Sequence, residues 1–163
     1  REKCHQWWKG DRGEWYVVVQ SILMLLVVFG PRTYPGMPQC LNPPSLTGYI
    51  VGSVLMLVGV IMSVAGALNL GKNLTPLPYP KDDAILIHEG VYGLVRHPIY
   101  SGIIFISFGW GLCLHSCLNI CYAFLLFIFF DIKSRREEGW LEQKFPEYAD
   151  YKKRVRKLIP YVY

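Results

Sequence analysis

Four long apolar runs, separated by proline, glycine and charged breaks, constrain this chain more than any other feature. The first runs from about Trp15 to Phe29, is closed by Gly30-Pro31, and is short for a full bilayer crossing. The second, about Leu46 to Leu70, lies between Pro43-Pro44 and Gly71-Lys72 and is long enough to cross even when tilted. The last two share Ile99 to Ile132, too long for one span, so a tight reversal near Leu114 to Asn119 is expected to make them a helical hairpin. With 52% hydrophobic residues in 163, a soluble domain lacks the volume to hide so much nonpolar surface. The expected fold is all-α, an integral membrane helical bundle of about four transmembrane helices with a C-terminal amphipathic helical segment. Residues 1–70 form an N-terminal segment with the first two spans, and residues 71–163 form a core that carries the polar motifs.

Charge placement orients these spans. Residues 1–14 hold four Lys and Arg, the 71–98 loop three and the segment after Asp131 nine, while Arg32 is the only one in the first loop. Four crossings put the three basic regions on one face, which the positive-inside rule makes cytosolic or its organellar equivalent. The basic tail suits anionic lipid headgroups. No basic patch interleaved with base-stacking aromatics stands apart from the apolar runs, so nucleic acid is not an expected partner. Gly52, Gly59 and Gly66 are seven apart in the second run and give a small-residue face for close helix contact. Five cysteines without a metal-like pairing argue against a disulfide framework or a metal site. Cys113, Cys117 and Cys121 would form one packing stripe if their segment were continuous helix.

Between the second and third runs lies Gly90-Val91-Tyr92-Gly93-Leu94-Val95-Arg96-His97-Pro98-Ile99-Tyr100-Ser101-Gly102. Polar and ionisable groups gathered at a membrane surface are costly, so several together signal function. Pro98 suits the first turn of a helix, where its missing N–H costs nothing. The free amides of that turn suit a ligand carboxylate. The blander reading makes His97 a helix-start residue with a satisfied hydrogen bond. Leu74-Thr75-Pro76-Leu77-Pro78-Tyr79-Pro80 cannot be helix, and it is either a stiff surface linker or a segment lying across a site mouth. Beyond the last run comes Arg135-Arg136-Glu137-Glu138-Gly139-Trp140-Leu141. Glu138 reads as part of a solvated helix face, paired with Lys133, Arg135 and Arg136. Lys133, one turn before Glu137, either snorkels to the interface or points with Glu137 into a site.

The ordered pair of motifs resembles the isoprenylcysteine carboxyl methyltransferase and phospholipid methyltransferase group: Arg-His-Pro-x-Tyr, a hydrophobic span, then Glu-Glu. The resemblance covers about residues 71–160, including Phe145-Pro146-Glu147-Tyr148 and Ile159-Pro160. It implies a small helical membrane protein that binds S-adenosylmethionine in a pocket closed by the C-terminal motif. By that likeness the strand-like run Ala84, Ile85, Leu86, Ile87 and Tyr92 would line the cofactor pocket. His97, Pro98, Ile99 and Tyr100 would contact the cofactor, and Glu137 would accept from one of its donors. Arg96, Lys133 and Glu137 are the residues assigned to the reaction. In the isoprenylcysteine enzymes an Arg stands where this chain has Lys133, which keeps the charge without the bidentate fork.

The expected activity is an S-adenosylmethionine-dependent methyltransferase acting on a lipophilic acceptor, prenylated or lipid-like. Methyl transfer from a sulfonium needs alignment more than a nucleophilic side chain or a metal, and aromatic rings can face the cation. Two alternatives stand beside it: an NADPH-dependent sterol-reductase-like membrane enzyme, which shares a related Arg-His-Pro-x-Tyr, and a catalytically silent membrane scaffold. The chain opens on Arg1 in a Trp-rich stretch, from which an endomembrane or organellar membrane, plastid included, is the expected location.

Overall fold

A computed structural model describes residues 13–36 and 44–163, and these are helical, with one isolated parallel bridge, Val95 to Arg156, in place of any strand. The basic, Trp-rich start, Cys4, Cys40 and the 37–39 part of the first loop lie outside the described residues. Five α-helices follow in order: α1 Glu14–Phe29, α2 Leu46–Leu70, α3 Pro98–Cys113, α4 Cys117–Lys144 and α5 Tyr148–Arg154. α2 with the 3-10 turn Gly71–Asn73 after it, and α4, are long and apolar enough to cross a bilayer. α1 and α3 have 16 residues each. At 1.5 Å per residue they reach about 24 Å against a hydrocarbon core of about 30 Å.

The glycine face of α2 sets the tightest packing in the bundle. A Cβ on Gly59 would lie 2.5 Å from the carbonyl oxygen of Gly102, and one on Gly52 would lie 2.6 Å from that of Gly109. The α2 and α3 backbones therefore touch along their whole shared length, with Gly66 seated on Pro98 and Ile99. Among apolar helices, where no hydrophobic force draws one helix to another, such backbone approach supplies the van der Waals contact that holds them. α4 packs on the other side of α3, and α1 packs on α4. Val27, Ile104, Leu126, Phe130 and Leu158 form the buried core. Large apolar side chains on the outer faces stay exposed, among them Ile22, Leu57, Ile61, Phe124 and Ile128, a surface suited to a bilayer.

The reversal falls at Leu114 to Ser116, inside the expected window. His115 takes the left-handed backbone (φ 50°), and Ser116 caps α4 by accepting from the Asn119 N–H. The turn is fastened to both neighbours: His115 Nε2 accepts from the Ser45 N–H at 3.0 Å, and Asn119 Nδ2 donates to the Val27 carbonyl at 2.8 Å. Because the helix breaks here, Cys113 does not share a stripe with Cys117 and Cys121. Cys117 is disulfide-bonded, while Cys113 and Cys121 are free thiols.

Past Ile132, α4 continues unbroken to Lys144 and lifts the second motif out of the apolar zone on a rigid helix. α5 buries Tyr148 and Tyr151 and exposes Lys152, Lys153 and Arg154, the amphipathic character expected of the tail.

Candidate functional site

The first motif is built as a corner. Gly90–Gly93 forms a 3-10 turn that needs positive φ at Gly90 (62°). The chain then extends through Val95 to His97, and α3 begins at Pro98. The extended stretch does not end in solvent: the Arg96 N–H donates to the Arg156 carbonyl at 2.8 Å and the His97 N–H to the Lys157 carbonyl at 3.2 Å. Ser101 Oγ reaches the Leu158 carbonyl from the first turn of α3. The tail beyond α5 is thus stitched edge to edge along the first motif.

α4 brings the second motif to the same corner. Tyr100 donates its hydroxyl to Glu137 Oε2 at 2.9 Å. The His97 and Tyr100 rings stack (centroids 5.4 Å, planes 8° apart), and Phe130 stacks on the far face of Tyr100 at 4.6 Å. Glu138 lies on the other side of the imidazole: its Oε1 accepts from Arg96 Nε at 2.8 Å and faces His97 Nε2 at 3.1 Å. A carboxylate only accepts, so Nε2 carries a proton in this contact. The expected solvated role for Glu138 is overturned, since the residue is 3% exposed and paired with Arg96 and His97 rather than with neighbours on its own helix. The reason is angular. Glu138 sits about 100° around α4 from Glu137, on the side that meets the start of α3, so consecutive glutamates face different surroundings.

Arg96 has three partners for its guanidinium: Glu138, the Lys152 carbonyl at 2.8 Å and the Val155 carbonyl at 2.6 Å. It therefore caps the end of α5 and ties it to α4. Lys133 is buried (1% exposed) and donates to Gln20 Oε1 at 2.6 Å and to the Pro76 carbonyl at 2.9 Å, with its ammonium 5.0 Å from the Tyr100 ring centre. Snorkelling to the interface is excluded by that burial.

These residues surround a cavity of about 370 Å³. Arg96, His97, Ile99, Tyr100, Lys133 and Glu137 line it, as do Tyr92 and the run Ala84, Ile85, Leu86 and Ile87. Pro98 is absent from the lining and packs under Gly66 instead. The 84–87 run is extended but pairs with no strand; Asn73 holds it, donating from Nδ2 to the Ile85 carbonyl at 2.7 Å. The proline segment forms a wall, through Leu74 to Leu77 and Pro80. Its anchors are Lys133 at Pro76 and Lys144, which donates to the carbonyls of Lys81 and Asp82. The linker reading of that segment gives way to the site-covering one.

Leu141, Phe145, Tyr148, Tyr151 and Gln20 also line the cavity without having been assigned to it. For Gln20 a signal existed: a lone amide inside an apolar run is costly unless something there needs it. Burial, then the nearby Glu137 carboxylate, pushes the Tyr92 phenol well above its ordinary range. Burial, then Glu138, does the same for Tyr148, so both remain neutral phenols facing the cavity. Among the described residues no group of three His, Cys, Asp or Glu gathers as a metal site would need. The wall therefore combines the Glu137 carboxylate, the cations of Lys81, Arg96 and Lys133, the His97 imidazole, neutral aromatic rings and a broad apolar flank.

Known proteins share both the sequence and the fold. The profile of the phospholipid methyltransferase family matches residues 47–148. A probable protein-S-isoprenylcysteine O-methyltransferase from Oryza sativa subsp. indica is 30% identical over 155 residues, covering 90% of this chain and 76% of the relative. The protein-S-isoprenylcysteine O-methyltransferase of Saccharomyces cerevisiae is 30% identical over 117 residues, covering 69% of this chain and 49% of the relative. Among solved structures, the eukaryotic intramembrane Ras methyltransferase ICMT superposes with a TM-score of 0.65 at 22% identity, over 90% of this chain and 51% of that one. With the family profile covering more than half of its length, including Arg96, His97 and the two glutamates, the chain belongs to the phospholipid methyltransferase family.

Proposed function

We propose that this chain is a multi-pass membrane methyltransferase that uses S-adenosylmethionine to methylate a prenylated or similarly lipophilic acceptor. The observation that carries the reading is the meeting of both motifs at one cavity, where Tyr100 joins His97 to Glu137 through a stacked ring and a 2.9 Å hydrogen bond. The donor set fits that cofactor. Glu137 suits an ammonium or ribose donor, the first amides of α3 suit a carboxylate, and the neutral Tyr92 and Tyr148 rings suit a sulfonium. When bound, S-adenosylmethionine supplies an electrophilic methyl group. The chain's own contribution is alignment and exclusion of water. His97 and Tyr100 are held by stacking and by the two glutamates, and the proline wall closes the cavity from the basic side.

Lys133 points to the acceptor end. Its ammonium lies beside Tyr100, where the polar wall meets the apolar flank of Leu70, Leu74 and Ile103. An anionic acceptor head beside a hydrophobic tail matches that division, and the relatives' prenylcysteine substrates have this form. Arg96 is a positioning residue here rather than a reacting one. The alternation of four helices supports four crossings. The ends of α1 and α3 and the start of α4 meet at one pole, where Ser116 donates to the Arg32 carbonyl at 2.6 Å, and the site lies at the other. A multi-pass arrangement is in keeping with an endomembrane or organellar location.

S-adenosylhomocysteine is expected to raise the unfolding temperature of detergent-purified protein. The stabilisation amounts to about 2.7 kcal/mol at a concentration one hundred times Kd. NADPH should leave it unchanged. His97→Ala and Glu137→Gln should each reduce the shift. A shift with NADPH alone would favour a reductase, a shift with neither a silent scaffold, and full affinity in both variants would remove those residues from the site.

A further inference from the structure

We propose that the segment Leu158 to Tyr163 is a re-entrant turn that dips into the bilayer interface and lies against lipid. After α5 the chain does not run out into water. Leu158 is fully buried among Leu126 and Phe130 of α4, with Ile159 packed on the same cluster, at the level where α4 is still apolar. There the backbone closes on itself. The N–H groups of Leu158 and Ile159 both donate to the Tyr163 carbonyl at 2.7 Å, and those of Val162 and Tyr163 donate to the Ile159 carbonyl at 3.1 and 3.0 Å. Pro160 has no N–H to satisfy. Irregular backbone at membrane depth is tolerated only when its polar groups are satisfied within the protein, and this turn satisfies most of its own.

The side chains divide in the same sense. Tyr163, 41% exposed, rests against α4, its ring near Phe127 and its hydroxyl on Asp131 Oδ1 at 2.9 Å, and Lys157 Nζ holds the same carboxylate oxygen at 2.6 Å. Tyr161 (83% exposed) and Val162 (72% exposed) turn outward. Like Phe124, Ile128 and Ile132 of α4, they are large apolar side chains left exposed by the fold. Arg135, held by Asp131 at 2.9 Å, and Arg156 are both exposed near the polar border of the turn, where basic groups suit anionic headgroups. The occupant is therefore a bilayer containing anionic lipid. Residues 156–158, which lead into this turn, bond Arg96, His97 and Ser101 directly, so the depth of the turn and the geometry of the first motif are mechanically coupled.

The test places a nitroxide at position 162 through Val162→Cys, a second at 161 through Tyr161→Cys, and a reference at 147 through Glu147→Cys. Spectra of the unsubstituted protein, treated in parallel, are subtracted to remove native thiols. Each protein is set in nanodiscs of phosphatidylcholine with phosphatidylserine, and collisions with oxygen and with a water-soluble nickel chelate are compared by power saturation. Labels at 161 and 162 should favour oxygen over nickel several-fold relative to the label at 147. Equal nickel access at all three positions would put the turn in water and overturn the proposal. Shielding from both reagents at 161 and 162 would mean that protein covers the patch, a second copy included, and would overturn it equally.

Discussion

Removing the Glu138 carboxylate tests the view that this residue, rather than its exposed-looking sequence context, holds the site together. Glu138→Ala deletes a buried acceptor shared by Arg96 Nε and His97 Nε2, with Lys152 Nζ a further 3.5 Å from its second oxygen. Breaking a buried pair by removing one partner costs about 3–5 kcal/mol, chiefly because a charge is left buried and uncompensated. Arg96 keeps two carbonyl partners, and Lys152 is exposed enough to turn to water, so the low end, about 3 kcal/mol, is expected. Glu138→Gln keeps the shape and one acceptor oxygen, and should cost less, about 1.5–3 kcal/mol, the scale of one hydrogen bond to a charged group. Unfolding of detergent-solubilised protein, read by intrinsic fluorescence against added denaturant, measures both. The ordering matters as much as the size: Ala should be worse than Gln, and both should weaken S-adenosylhomocysteine binding, because the imidazole loses the contact that orients it. An Ala variant within about 0.5 kcal/mol of the parent, the range of an ordinary surface substitution, would refute the reasoning.

Further predictions follow the same geometry. Lys133→Met should abolish transfer to an anionic lipophilic acceptor while leaving S-adenosylhomocysteine affinity intact, and Lys133→Arg should retain part of the activity; a panel of prenylcysteines, fatty acids and phosphatidylethanolamine reads both. Gly59→Leu should force α2 from α3, since even a Cβ would stand 2.5 Å from the Gly102 carbonyl, and overpacking of this kind costs about 1–3 kcal/mol or more in the same unfolding assay.

The linear order of apolar and polar residues settled the helices, because a run such as Leu46 to Leu70 has one low-energy state in an apolar medium whatever surrounds it. It settled their contacts where the signal was periodic: glycines seven apart in α2 had to meet a close partner, and they do. Pro98 marked a helix start for reasons local to its own ring. The Arg-His-Pro-x-Tyr and Glu-Glu motifs were legible too, and the fold brings residues of both to one cavity. What a linear chain does not encode is the direction in which a side chain looks once helices pack. Glu137 and Glu138 are adjacent and chemically identical, yet one faces the cavity and the other a buried Arg96 and His97, because α4 turns about 100° per residue. Lys133 had two destinations equally consistent with its position, and only the presence of Gln20 and Pro76, contributed from residues more than fifty positions away, decided for burial. The return of the tail along the first motif rests on hydrogen bonds between segments separated by about sixty residues. Such pairings depend on the summed packing of the whole bundle, so tertiary structure alone determined them.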